Sequence, residues 1–495
     1  MGAMHLLLPT DLAPGAAQEL GRACVAGGPD TTPWPTQVRV DPGLLTVRRD
    51  VDESGCLMAP WDVNGGSRVM GATGTLIERS LPYHFRLELA RGKVNQLRNQ
   101  AAEWQTGGMV LNPQMLGQIR AASLAFSRAV CDPPADQDAP AQLALDQSYQ
   151  TAQQLVEQYI EQMFQARHQR HPRLDTTLGC RLGAVPLPAD QAASLRRACN
   201  SVALLFAWDE VEPAEGDYQW DAYDTLLAWA QDNHLPVVGG PLIDFSAARL
   251  PDWLWLWQRD LSSLAHLMCD YVETTVKRYG GAVRSWQITT ASNCSSILGL
   301  GEDELLWLTA RLTEAARLVD PKLELSVGIA QPWGEYMAVD DRTHSPFIFA
   351  DTLIRAGLNL AAIDLELVMG VSPRGSYCRD LLETSRLIDL YSLLGVPLRV
   401  TLGYPSAEDP DPHADAELSV DAGYWVGGCS PTVQAEWAAA CGALALCKPS
   451  VHAVQWVHWS DALRHQFPRC GLLDAQQHPK PALARWQALR EKHLR

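Results

Sequence analysis

Residues 178–208 read LGCRLGAVPLPADQAASLRRACNSVALLFAW, and their rhythm sets the architecture. A short apolar run at 178–186 gives way to a helical pattern at 189–199, and a second apolar run follows at 200–208. The same alternation continues to the end of the chain. Apolar runs recur at 235–244, 283–290, 323–331, 361–369, 396–403 and 451–459. Helical periodicity fills the gaps at 221–233, 260–279, 303–319, 347–357, 378–394, 431–447 and 480–494. Near-continuous apolar strands alternating with helices imply a parallel sheet covered on its outer face. Eight such units predict a closed (β/α)8 TIM barrel over residues 176–495. A doubly wound open sheet alternates in the same way, but it places a Gly-rich phosphate turn after its first strand. Arg181-Leu182-Gly183-Ala184-Val185-Pro186 is not one.

Upstream the pattern differs. Residues 1–80 read as a small β unit. Gln37-Val38-Arg39-Val40 and Leu45-Thr46-Val47-Arg48 alternate apolar and polar around the turn Asp41-Pro42-Gly43. Cys56-Leu57-Met58 and Gly74-Thr75-Leu76-Ile77 continue it. Residues 81–175 read as helical and are expected to form one domain with 1–80. Phe85, Leu89, Val94 and Leu97 mark one helix face, a second helix follows near 113–130, and a third spans about 141–168 after a linker at 132–138. The basic residues Arg86, Arg91, Lys93 and Arg98 read better as a solvated face or a domain contact than as an anion site.

Composition excludes several function classes. The chain has 495 residues with Lys+Arg 40 against Asp+Glu 57, a net charge of −17. Such a surface repels phosphate backbones, so no nucleic-acid partner is expected. No apolar stretch reaches the roughly 20 residues of a membrane span, and the N-terminal stretch MGAMHLLLPTDLAPG, with a short apolar run and no basic flank, does not read as a signal peptide. The 12 Cys are scattered without C-x-x-C pairs, which fits reduced thiols in the cytoplasm. No cofactor is implied. His452, His458, His465 and His478 show no metal-ligand spacing and read as structural, and no G-x-S-x-G is found.

Function in such a barrel belongs at the C-terminal strand ends. Those ends carry Trp208, Trp286, Trp333, Trp456 and Trp459, in a chain with 17 Trp against 12 Tyr and 8 Phe. A sugar ring presents an apolar C–H face, so these indoles are candidate carbohydrate contacts; the alternative is that they cap the core. A protein partner is the other ligand class left open.

The segment Trp208-Asp209-Glu210-Val211-Glu212-Pro213-Ala214-Glu215-Gly216-Asp217-Tyr218-Gln219-Trp220, with Asp224, resembles glycoside hydrolase family 10, the xylanase family. Pro251-Asp252-Trp253, Lys277-Arg278-Tyr279-Gly280-Gly281 with Trp286, Gly471-Leu472-Leu473-Asp474 and Lys480-Pro481-Ala482 are similar to further motifs of that family, in order. The resemblance implies a sugar-hydrolysing barrel with an acid/base Glu on strand four and a nucleophilic Glu on strand seven. It places Ala291 and Leu402 on those positions. Ala has no proton to donate and Leu cannot form a glycosyl ester. The expectation is a degenerate barrel that binds a carbohydrate or a partner at its mouth. The alternative is an active hydrolase using displaced carboxyls, for which Asp244, Glu335 and Glu366 are the candidates. Glu366 lies inside an apolar strand, so an ion pair with a buried arginine, Arg181 or Arg399, is its simpler use.

Overall fold

The computed structural model describes residues 2–28, 30–133 and 137–495. Of the linker expected at 132–138, residues 134–136 lie outside the described residues.

Eight parallel strands close on themselves in the second part of the chain. They are Thr177–Leu182, Val202–Leu204, Val237–Gly239, Ser285–Thr290, Glu324–Ile329, Ala362–Val368, Leu398–Gly403 and Val451–Trp456, called here strands one to eight. Strand eight pairs with strand one, and strand three with strand four, so no edge remains free. Every residue of strand six is buried, as expected where helices cover one side and side chains fill the other. The outer helices match the alternation read from the sequence. Leu261–Tyr279, for example, buries Leu264, Met268, Tyr271, Val272, Thr275, Val276 and Tyr279 on one face. Its start is fixed by the Asp260 side chain, which accepts from the Ser263 N–H at 3.1 Å.

Strand three departs from the continuous run expected at 235–244. It stops at Gly239 and resumes as Ile243–Asp244, which pairs with the end of strand four. The break has a local cause. Pro241 has no N–H for a ladder, and Gly240 has φ 102° with its position for a Cβ only 2.2 Å from the Gln287 carbonyl oxygen.

The N-terminal β region forms two four-stranded sheets. One orders Gln37–Asp41, Leu44–Arg49, Gly2–Leu7 and Tyr83–His84; the other orders Thr32–Trp34, Cys24–Gly27, Gly55–Val63 and Ser67–Leu76. The first strand, Gly2–Leu7, buries Met4 and Leu6. Helices Phe85–Thr106, Pro113–Cys131 and Asp138–Arg170 follow. The longest packs against the barrel helices Leu381–Ser392 and Pro431–Cys447. Lys93, read as part of a basic face, is buried in a contact with the barrel, where its ammonium meets Asp380. Arg86 is also buried and pairs with Asp11 at 2.7 Å, whereas Arg98 is exposed. No helix among the described residues is long and apolar enough to cross a membrane.

Candidate functional site

Alternate residues of a strand face the barrel axis. On strand seven these are Arg399 and Thr401, since both bond across the interior. Arg399 donates to Ser326 Oγ at 3.2 Å, and Thr401 Oγ1 accepts from Arg181 at 3.2 Å. Arg181 also reaches Glu366 Oε2 at 3.3 Å and Gln287 Oε1 at 3.2 Å. Strands one, four, six and seven thus meet at one guanidinium. The ion pair that Glu366 was expected to make is with Arg181; Arg399 instead serves Ser326, whose hydroxyl donates to Asp364 at 2.7 Å. Burial pushes the Glu366 carboxyl up from its ordinary value, and Arg181 opposes that shift without cancelling it.

Asp244, at the end of strand three, meets Arg374 at 3.3 Å. Its charge reaches Glu366 and raises that carboxyl further, so these two candidates lie in one neighbourhood. Glu335 sits in the loop beyond strand five, held by Arg379 at 2.7 Å and by the Tyr377 N–H at 3.0 Å. All three candidate carboxylates are engaged by guanidinium groups. The structure adds one that sequence reading missed. Asp415 is buried 3.5 Å from Arg249, and burial pushes its carboxyl up to about 6, with Arg249 opposing. It lies in the acidic, Pro-containing stretch 405–418, where nothing sets it apart from Asp409 or Asp411.

The two positions expected to carry the family's catalytic carboxyls differ in placement. Ala291 follows strand four with φ 59° and lines the cleft described below. Leu402 does not face the axis. Its neighbour Thr401 does, so alternation turns Leu402 outward into the core, where it is buried. The inward side chain at that height is a threonine hydroxyl. No acid stands at either place.

A cleft of about 620 Å³ opens at the C-terminal end of the barrel. Its barrel side is lined by Phe245, Ala291, Gln331, Glu335 and Arg374, and its other side by Arg22, Cys24 and Met70 of the N-terminal β region. None of the five indoles expected to contact a ligand lines it. Trp208, Trp286 and Trp456 are fully buried, and Trp333 and Trp459 nearly so. Their polar tips are satisfied inside the fold: Trp208 donates to Glu212 at 2.7 Å, Trp286 to the Val283 carbonyl at 2.9 Å, and Trp456 to the Cys470 carbonyl at 2.6 Å. Trp456 also lies edge-on to Trp437 and Trp486, with centroids 6.2 and 5.3 Å away. These side chains cap and fill the core, and they present no face to the cleft.

His458, Asp461 and His465 bring ligand atoms within 4.8 Å of one another, a spacing that would suit a metal ion. Most of their ligand atoms are committed: His458 Nε2 meets Asp461 at 3.0 Å, and only the His458 Nδ1 is buried without a partner. Lys480 Nζ stands 2.5 Å from Asp461 Oδ2, the place a cation would take. His465 meets the Leu463 carbonyl at 2.6 Å and Asp411 at 3.1 Å, one oxygen for each ring nitrogen. Burial pushes the His458 imidazole down to about 4. The three therefore act as a brace between the loops after strands seven and eight.

The sequence pattern of glycosyl hydrolase family 10 matches residues 187–290, from the first outer helix to the end of strand four. Endo-1,4-beta-xylanase C of Paenibacillus barcinonensis is 31% identical over 86 residues, which is 16% of this chain and 8% of that protein's length. Among solved structures, xylanase 10B of Thermotoga petrophila RKU-1 in complex with xylobiose aligns over 64% of this chain and 94% of its own, at 17% identity and TM-score 0.47. The family 10 structure from Paenibacillus barcinonensis aligns over 65% and 96%, at 18% identity and TM-score 0.47. The C-terminal motifs at 471–482 fall outside the matched segment. Over residues 187–290 the chain is similar to glycosyl hydrolase family 10, and it carries that likeness on a closed eight-stranded barrel.

Proposed function

We propose that this protein is a xylanase-like barrel that binds a carbohydrate in the cleft at its mouth and does not hydrolyse it. Residues 1–175 form, in this reading, a single unit that walls the cleft of the 176–495 barrel. One observation carries the proposal: Ala291 lines the cleft after strand four, Thr401 is the inward side chain near the end of strand seven, and the three candidate carboxylates Asp244, Glu335 and Glu366 are each held by an arginine. Glycoside hydrolysis needs a protonated carboxyl and an ionised one, about 5–5.5 Å apart for retention or about 6.5–9.5 Å for inversion. Asp244 and Glu335 already spend carboxylate oxygens on guanidinium groups, so a substrate would have to compete with those bonds. Glu366 is shielded from any ligand by its burial. The cleft itself mixes apolar side chains such as Phe245 and Met70 with Gln331 and Arg374, a lining suited to a sugar's two faces. The free cysteines favour a reducing compartment, the cytoplasm.

A second reading, hydrolysis by displaced carboxyls, rests on the mutual influence of Asp244 and Glu366 and on the raised Asp415. A screen on xylo-, gluco- and manno-oligosaccharides separates the two. Binding without products is the expected result. Turnover that disappears in Glu335→Ala, Glu366→Ala or Asp415→Asn would establish the second reading instead. A protein that binds none of these glycans takes a protein partner at the same place.

A further inference from the structure

Which part of a glycan fits depends on where the cleft ends. Loops after strands two, three, seven and eight are laced together across the barrel mouth. Arg249, in the turn after strand three, is almost completely buried between Glu210 at 3.9 Å and Asp415 at 3.5 Å. Arg464, after strand eight, pairs with Asp209 and with Glu210 at 3.6 Å, and donates to the Ala248 carbonyl at 2.5 Å. His465 and the Arg469 N–H hold Asp411 at 3.1 and 2.9 Å, and Lys480 donates to Ser406 at 2.8 Å. Val371, Leu418, Val457, Phe467 and Cys470 pack beneath these bonds as a small apolar cluster. Loops from four strands are thereby joined across the axis. Among the described residues, none from the loops after strands one, two or eight lines the cleft.

The opposite side is closed by the N-terminal β region, which is fixed to the barrel by its backbone. Met70 N–H donates to the Cys378 carbonyl at 2.9 Å and Thr36 N–H to the Ala338 carbonyl at 3.0 Å. Glu19 accepts from the Tyr377 hydroxyl at 2.7 Å, and Arg22 pairs with Asp421 at 3.0 Å. Among the described residues, the opening is therefore lined on the barrel side by the loops after strands three to seven.

We infer that the cleft is blind and takes the end of a glycan chain, or a short free oligosaccharide, in place of the interior of a long polysaccharide. The inference rests on the carbohydrate reading above and deepens it. A polymer bound along its length must leave a groove at both ends, and here the ion network bars one exit and the β region the other. A volume near 620 Å³ accommodates on the order of two or three pyranose rings.

Calorimetric titration of the intact protein with linear xylo-oligosaccharides of increasing length, and with gluco- and manno-series in parallel, tests this. Affinity should rise to about the trisaccharide and stay flat beyond it, since later rings lie in solvent. At equal sugar mass, xylan fragmented about tenfold should occupy roughly tenfold more protein than intact xylan, because it offers more ends. The β-region wall is probed by Gly21→Trp. Gly21 lines the cleft with nothing within 4 Å of its position for a Cβ, so the indole adds bulk without a clash. It should weaken trisaccharide binding by about tenfold or more while leaving the melting temperature unchanged. Affinity that climbs steadily through the hexasaccharide, or intact xylan binding as well per mass as fragments, would overturn the blind cleft and leave the carbohydrate reading standing. Failure of every glycan to bind would overturn both.

Discussion

The Arg181–Glu366 pair offers the most direct test of how the barrel interior is held. Arg181→Met keeps much of the side-chain volume and removes the charge. Glu366 then remains buried with no cation at 3.3 Å, and Gln287 and Thr401 each lose a donor at 3.2 Å. Breaking one side of a buried ion pair costs about 3–5 kcal/mol. At roughly 2 °C per kcal/mol for a domain of this size, the melting temperature should fall by about 6–10 °C near neutral pH. The deficit should depend on pH in a defined direction. The Glu366 carboxyl is raised in the folded state, so the fold binds that proton more tightly than the unfolded chain does. Its contribution is fully present below the ordinary carboxyl value near 4.5 and is lost as pH rises through the folded value. Without Arg181 the folded value climbs further and the loss deepens. Differential scanning fluorimetry at pH 5 and pH 8 should therefore show the larger deficit at pH 8. Adding Glu366→Gln to Arg181→Met should recover more than half of it, since the orphaned charge is gone. An equal deficit at both pH values, or a double variant no more stable than the single one, would refute the account.

Two further outcomes follow from the same physics. Asp415, pushed up to about 6, favours the fold at low pH and ceases to do so as pH rises from about 4 through 6, so Asp415→Asn should gain stability relative to the natural protein over that interval, read as a pH series of melting temperatures. Trp456→Ala should cost about 3–5 kcal/mol by leaving a void between Trp437 and Trp486, and glycan affinity measured well below the melting temperature should not change; lost binding with unchanged stability would return this indole to ligand contact.

The barrel's legibility in the chain has a simple origin. The strand and helix periods are local properties, so runs such as 361–369 and 260–279 announce themselves without reference to anything distant. The turn at Asp41-Pro42-Gly43 and the helix face of Phe85, Leu89, Val94 and Leu97 were legible for the same reason. The motifs from Trp208 to Trp286 lie within the segment that matches the glycosyl hydrolase family 10 pattern.

Residue facing and partnership were not local. Leu402 stood beside the inward position, and only the bonds of Thr401 and Arg399 across the axis show which residue of the pair points in. Five tryptophans at strand ends matched a sugar platform as well as a core cap, and burial assigned them to the core. Asp415 gained its environment from Arg249, more than 150 residues earlier in the chain. The sequence by itself determined the eight-fold alternation and the expectation that Ala291 and Leu402 take the positions of the family's carboxyls. The tertiary structure alone decided that Asp244, Glu335, Glu366 and Asp415 are paired with arginines and that the N-terminal region walls the cleft, because charge and burial depend on which distant segments meet.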